Sequence, residues 1–121
     1  MTVNVYRWTE LPKEDVRTGV SRTAFRGDGA IMVMNWLEPG MEKKPHSHPF
    51  EQLAYILSGR VRFEIGDDVV EAGAGEVLRI PPGVVHCGEA LGDEVAVNLD
   101  VFAPAREDYL HLAEYQEADF S

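Results

Sequence analysis

Three of the four histidines in this chain lie in two short segments. His46 and His48 are separated by one residue, and Gln52 follows four residues later. His86 lies in a second segment, which begins at Gly75. Residues two apart in an extended strand point to the same face, so His46, His48 and Gln52 can share one side. Imidazole nitrogens and one amide oxygen bind divalent ions such as Zn, Fe, Ni, Cu or Mn, so the spacing predicts a site for one such ion.

The residue at position 52 decides the charge of this predicted site. Glu51 has the opposite strand parity and is expected to point away from the histidines. Three neutral imidazoles and the neutral amide of Gln52 would leave the full charge on the ion. The ion would then be a stronger Lewis acid than one bound by a carboxylate in place of the amide. Such a site suits an anionic substrate and is less suited to high-valent iron. The alternative is that Gln52 points inward and hydrogen-bonds a ligand without touching the metal.

A second group of candidate residues follows further along the chain. Asn98, Asp100 and Phe102 share one face of a predicted strand, and Arg106 comes just after it. A carboxyl group beside a metal is a candidate general acid or base, and an arginine at the mouth can hold a carboxylate through two parallel hydrogen bonds. Asp100 and Arg106 are therefore candidate catalytic residues, and Arg106 is also a candidate substrate contact. The alternatives are a structural pairing of Asp100 with Arg106 or Arg79, a solvated or helix-capping Arg106, and core packing of Phe102.

The elements that must position these residues are predicted to be short strands. Apolar runs at 29–36, 50–59, 60–65, 69–71, 76–80, 84–90 and 94–104 are bounded by turn residues, and Ser58-Gly59 predicts a hairpin between two of them. Many short strands at regular spacing predict an all-β sandwich or barrel. Met34 and Trp36 alternate on one face of the first run and are predicted to line the cavity as substrate contacts, with plain core packing as the alternative. The tail at 106–120 is predicted to be one short helix or a packed extended arm.

Composition excludes several classes of function. The chain has 121 residues, which indicates one domain over 1–121. Its 11 Lys and Arg against 21 Asp and Glu argue against nucleic-acid binding. No apolar run approaches the roughly 20 residues of a membrane span, and the first residues do not have the pattern of a signal peptide. The single cysteine excludes an internal disulfide framework. Together, these features predict a cytoplasmic protein that binds neither nucleic acid nor membranes.

Two motifs carry a resemblance to a known family. Gly-x5-His-x-His-x3-Gln-x6-Gly spans 40–59, and Gly-x5-Pro-x-Gly-x2-His begins the segment 75–90. Together they resemble the two motifs of the cupin superfamily, although Ala90 replaces the asparagine usual in the second. The resemblance implies a single cupin domain, a double-stranded β-helix or jelly-roll barrel. It also implies a homodimer, in which residues 3–8 could add a strand to a partner sheet.

A narrower resemblance concerns activity. Asp100-x-Phe102-x3-Arg106 after a His-His-Gln-His set is similar to the small cupins of the pectin-degradation (KdgF) group. The similarity implies ring opening of 4,5-unsaturated uronates from pectin or alginate, without redox chemistry or an organic cofactor. Asp100, Phe102 and Arg106 would then surround a small anionic substrate. The alternatives are a metal-dependent dioxygenase, lyase or isomerase acting on another small organic acid, and a non-enzymatic sugar- or metal-binding module.

Overall fold

The computed structural model describes residues 2–120, and its fold consists mainly of antiparallel strands. Nine strands are described within this range: β1 (Glu14–Arg17), β2 (Val20–Arg26), β3 (Ile31–Leu37), β4 (Gln52–Ser58), β5 (Arg60–Ile65), β6 (Asp68–Gly73), β7 (Val77–Ile80), β8 (His86–Ala90) and β9 (Ala96–Phe102). One sheet has six strands in the order β1-β2-β3-β9-β4-β7, and the other has three in the order β6-β5-β8. The all-β jelly-roll prediction is confirmed.

Strand β2 and its neighbour β1 were missed by the sequence analysis. The inward positions of β2 carry Val20, Arg22 and Ala24, and only the first and last are apolar. Arg22 therefore breaks the apolar alternation by which a half-buried strand is recognised. Strand β1, with the sequence EDVR, has even less apolar character.

The turn at Ser58-Gly59 does not form the predicted hairpin. Strand β4 pairs with β7 and β9 in the large sheet, whereas β5 pairs with β6 and β8 in the small sheet. The turn therefore carries the chain from one sheet to the other. Local turn residues indicate a reversal of direction, but they do not indicate which strands will pair.

The core lies between the two sheets and continues toward the C-terminal segment. Ile56 from β4 and Ile80 from β7 are fully buried in one cluster, together with Val61 and Phe63 from β5. A second cluster contains Phe102 at the end of β9. The inner faces of both sheets thus supply the walls of the space in which the predicted site residues lie.

The C-terminal segment Glu107–Phe120 forms 3-10 helical turns, with a break at Ala113. Leu112 packs into the second cluster, and the Gln116 side chain bonds both the backbone N–H and the backbone carbonyl of Arg26, at 2.8 and 2.9 Å. The helical alternative for the tail is therefore the one observed. No helix in the range 2–120 is long and apolar enough to span a membrane.

Residues 3–8 contain no strand in the structure. Asn4 and Tyr6 instead bond the carboxylate of Asp119 at 2.7 and 2.9 Å, so this segment lies against the C-terminal helix. Addition of this segment to a partner sheet stays a prediction.

The turn that passes between the sheets gives a test of the packing. Gly59 has φ +74°, and a Cβ there would lie 2.8 Å from Cα of Ala96. Gly92 has nearly the same φ, +73°, but a Cβ there would meet nothing within 4 Å. We expect Gly92→Ala to lower the free energy of unfolding by about 1–2 kcal/mol through backbone strain alone. Gly59→Ala should cost about 1–3 kcal/mol more because of the overlap.

Urea unfolding of both variants measures this difference. Equal destabilisation of the two variants would show that the approach of Ala96 to Gly59 contributes nothing.

Candidate metal centre

Backbone hydrogen bonds hold the two histidine segments together. The N–H of His46 donates to the carbonyl of His86 at 3.0 Å, and the N–H of His86 donates to the carbonyl of His46 at 2.9 Å. Two residues later, the carbonyl of His48 accepts from the N–H of Gly83 at 2.8 Å. His46 and His48 lie outside the named strands, so this short bridge, rather than one continuous strand, sets their directions.

The three side chains converge on one point. The nearest ring nitrogens of His46, His48 and His86 all lie within 4.8 Å of one another. The ring of His86 has its centroid 4.5 Å from that of His46 and 4.8 Å from that of His48. His48 and His86 are buried and His46 is exposed, so the cluster reaches the surface on one side.

Each histidine is fixed in the same protonation pattern by a backbone carbonyl. In all three rings Nδ1 lies 2.9 Å from a carbonyl oxygen, that of Lys44 for His46, of Phe50 for His48 and of Val84 for His86. A carbonyl only accepts, so Nδ1 carries the proton and Nε2 keeps a free lone pair. The same arrangement orients metal-binding histidines in general.

Gln52 adds a fourth lone pair. Its Oε1 lies 3.2 Å from Nε2 of His48, and with the proton of His48 on Nδ1 neither atom has a hydrogen to donate. Nε2 of His86 is buried and has no hydrogen-bond partner among residues 2–120. An unsatisfied buried acceptor costs about 1–3 kcal/mol, and a cation at the point of convergence would satisfy all of these atoms. The donor set therefore fits a divalent metal ion.

Burial favours the neutral form of the inner histidines. It lowers the pKa of His86, and it lowers the pKa of His48 together with the positive charge of Arg106. Neutral imidazole is the form that binds metal.

Glu51 and Gln52 point in opposite directions, as their parity predicted. Gln52 is 7% exposed and faces inward from the start of β4. Glu51 forms an ion pair with Arg79 at the surface. Arg79 is therefore engaged outside the cavity, which removes it as a structural partner of Asp100.

Asp100 is a buried carboxyl group surrounded by amides. It accepts hydrogen bonds from Asn35 at 2.9 Å and from Asn98 at 2.8 Å, and the amide of Gln52 also donates to it. Burial raises the pKa of Asp100 to about 6, against the lowering effect of these hydrogen bonds and of the Arg106 charge. Since the Gln52 nitrogen faces Asp100, its oxygen is turned toward the histidines. Asn35 was missed by the sequence analysis because a single asparagine in an apolar run gives no signal of its own.

Arg106 is held among aromatic rings. Its guanidinium lies 5.0 Å from the ring centroid of Phe50, 4.9 Å from that of Phe102 and 3.8 Å from that of Tyr109. Its Nε and Nη2 donate to the carboxylate of Asp108 at 3.0 and 2.6 Å. Arg106 itself is only 6% exposed, whereas the Asp108 side chain is 53% exposed. The arginine is thus fixed in place, and its partner lies where an incoming anion could replace it.

A cavity of about 100 Å³ connects these groups. Its lining contains most of the predicted site residues: His46, Gln52, His86, Asp100, Phe102 and Arg106. It also contains residues that the sequence analysis did not assign to the site, among them Arg17, Arg22, Asn35 and Tyr109.

Met34 and Trp36 do not line this cavity, so that expectation was wrong. The inward residues of β3 are Val33, Asn35 and Leu37, which leaves Met34 and Trp36 on the outer face. The ammonium group of Lys13 lies over the Trp36 ring there, at 4.0 Å. Both parities of this strand are mostly apolar, so periodicity alone did not show which face is inside.

Comparisons with known proteins agree with this architecture. An RmlC-like cupin from Shewanella frigidimarina superposes with a TM-score of 0.78 at 24% identity, covering 89% of this chain and 96% of that one. KdgF from Halomonas sp. superposes with a TM-score of 0.77 at 23% identity, covering 87% and 98%. Polyketide synthase CurC from Streptomyces cyaneus is 26% identical over 83 residues, which are 68% of this chain. This chain spans about half of the length of CurC (54%).

The family model of the cupin domain matches residues 35–102. This range includes both histidine segments, the end of β3 and the six strands from β4 to β9. The chain belongs to the cupin family.

Proposed function

We propose that this cupin is a metal-dependent enzyme for a small carboxylate, and that its reaction is the ring opening of 4,5-unsaturated uronates from pectin or alginate breakdown. The observation that carries the proposal is the placement of Asp100. A buried carboxyl group with a pKa of about 6 lies beside the amide of Gln52, in the same cavity as His46 and Arg106. The fold similarity to KdgF from Halomonas sp. agrees with the proposal.

The charge of the cavity favours an anion. The whole chain has a net charge of −10, yet Arg17, Arg22 and Arg106 all line the cavity. Asp100 is the one acidic residue among the described residues that line it. A cleft whose lining charges are mostly of one sign attracts the opposite sign whatever the outer surface carries.

A divalent ion would complete this arrangement. When bound, it would supply Lewis-acid polarisation of a substrate oxygen. The residues that would hold it are His46, His48, Gln52 and His86.

The proposed reaction moves a proton and needs no co-reactant. The hemiacetal hydroxyl of the substrate loses its proton, the bond from the anomeric carbon to the ring oxygen breaks, and a carbonyl forms at the anomeric carbon. The alkene carbon that bears the ring oxygen becomes the carbonyl carbon of a ketone when the other alkene carbon, C4, takes up a proton. Asp100 accepts the first proton and returns one, as its pKa near neutrality allows. Arg106 holds the substrate carboxylate, and Phe102 packs against both His48 and Arg106 as part of the wall.

Metal content tests the donor set. We expect His86→Ala to lose stoichiometric binding of Zn or Ni, because it removes a buried ligand with a free lone pair. His111→Ala is the matched control, since the His111 side chain is 52% exposed and bonds Glu14. Metal bound per chain is measured by elemental analysis and by titration calorimetry. Full occupancy in His86→Ala would contradict the assignment.

Turnover tests Asp100. We expect Asp100→Asn to keep its bound metal but to lose at least about 100-fold in the rate of uronate ring opening, because an amide cannot exchange the proton. The assay follows the loss of unsaturated-uronate absorbance above its spontaneous rate. Asp93→Asn, at an exposed loop position, is the control and should retain the wild-type rate.

Two results would contradict the proposal here. An Asp100→Asn protein with normal metal content and full turnover would remove the acid–base role. No acceleration by metal-loaded wild-type protein, together with oxygen uptake in the presence of Fe(II), would instead indicate a dioxygenase.

Replacement of the neutral ligand tests its charge. Gln52→Glu places a carboxylate against Asp100 and cancels part of the charge of the ion. Like charge raises the pKa of a neighbouring carboxyl. Because the rate needs ionised Asp100, we expect the pH at half-maximal rate to rise and the maximal rate to fall by about tenfold or more. A pH–rate profile measured per bound metal checks this, and an unchanged midpoint would show that position 52 does not act on Asp100.

A further inference from the structure

We infer that Arg22 is a second anion-binding residue of this cavity, so that the substrate is a small acid with oxygen groups at both ends. A hydroxylated sugar acid or a dicarboxylate belongs to this class, whereas a monocarboxylate with an apolar tail does not. The inference deepens the proposed function and rests on it only in requiring that a small anion enters the cavity. It does not depend on which bond is broken.

The first support is the position of Arg22. It lies on the inner face of β2, directly opposite Asn35 of β3, whose amide bonds the carboxylate of Asp100. Arg22 lines the same cavity as Arg106. An inward position between the sheets would ordinarily be apolar, as it is at Val20 and Ala24 on either side.

The second support is a ring shared with Arg106. The guanidinium of Arg22 lies 4.4 Å from the ring centroid of Tyr109, and that of Arg106 lies 3.8 Å from the same centroid. Tyr109 thus contacts both guanidinium groups, and all three side chains line the cavity. Two cations that contact one ring repel each other, and the carboxylates of Glu14 and Asp108, or an anion that replaces them, reduce this repulsion.

The third support is an unmet hydrogen-bond donor. Nε of Arg22 is buried and has no hydrogen-bond partner within residues 2–120, and Nη2 donates to Glu14 at 2.8 Å. Glu14 is itself shared, because Nε2 of His111 lies 3.0 Å from its other carboxylate oxygen. In contrast, Arg106 has both Nε and Nη2 bonded to Asp108. Unpaired buried donors are uncommon in native structures. Arg22 is therefore the less saturated of the two arginines, and its Nε–H is free to donate to an anion.

A structural role for Arg22, as a support for Glu14 and Tyr109, is the competing explanation. It predicts a loss of stability on substitution but no preference among ligands. The test therefore compares ligands of equal length that differ in one end. Succinate and butyrate are suitable probes, because both have four carbons and only succinate carries a second carboxylate.

Titration calorimetry with zinc-loaded and with metal-free protein measures both affinities. We expect wild-type protein to bind succinate at least about tenfold more tightly than butyrate, as one charge-assisted pair allows. Arg22→Gln should weaken succinate binding by about tenfold and change butyrate binding by less than twofold. Arg26→Gln is the matched control. Arg26 lies on the same strand and over an aromatic ring, that of Phe120 at 4.2 Å, but it does not line this cavity.

An unchanged ratio of the succinate and butyrate affinities in Arg22→Gln would overturn the inference, whether neither affinity falls or both fall equally. If Arg22→Gln does not fold, Glu14→Gln replaces it. This change frees Nη2 of Arg22 from its anionic partner, so succinate binding should tighten by about threefold with butyrate unchanged. Weaker or unaltered succinate binding in Glu14→Gln overturns the inference as well.

The two proposals fail separately. Succinate binding that depends on Arg22, without any uronate turnover, contradicts the proposed reaction and supports this inference. Uronate turnover by Arg22→Gln with the wild-type kcat/KM supports the reaction and overturns the inference.

Discussion

The candidate site depends on one pair of backbone hydrogen bonds, those that join His46 and His86. The two residues lie forty positions apart, and the reciprocal bonds fix both segments at 3.0 and 2.9 Å. Because the bonds use the main chain, the imidazole rings remain free. Each ring then uses Nδ1 on a nearby carbonyl and directs Nε2 to the common point. The strands of the two sheets serve to bring these two segments into register.

The amide of Gln52 connects the two halves of the site. Its oxygen faces His48 and its nitrogen faces Asp100. A carboxylate at this position would have no hydrogen for Asp100 and would repel it. The neutral ligand therefore has two consequences at once: more charge would remain on a bound ion, and Asp100 can be ionised in a buried place. Asn35 and Asn98 extend the same principle, since they supply donors to an acid without adding charge.

Much of the fold and of the candidate site could be predicted from the sequence, wherever the signal comes from neighbouring residues. The histidine spacing predicted the candidate metal centre, and strand parity separated Gln52 from Glu51. The predictions that failed concerned residues whose direction depends on strands distant in the sequence. Met34 and Trp36 were placed inside because both faces of β3 are largely apolar, and only the pairing with β2 and β9 decides between them. Strand β2 was missed because the charged side chain of Arg22 occupies an inward position. The same position is the basis for proposing Arg22 as an anion-binding residue.

The distribution of charge gives the last constraint on function. The chain has a net charge of −10, yet three arginines line one small cavity. The charge at the site therefore differs in sign from the charge of the chain as a whole. A purely structural arginine could be replaced by an apolar residue of similar volume with little loss, because a buried ion must be desolvated. Arg22 and Arg106 instead lie around Tyr109, with Glu14 and Asp108 as partly exposed partners. Carboxylates at the edge of a cationic cavity neutralise it until an anion enters. If the proposed anionic substrate binds here, the arginines and their exposed partners would favour exchange of one anion for another as the first step.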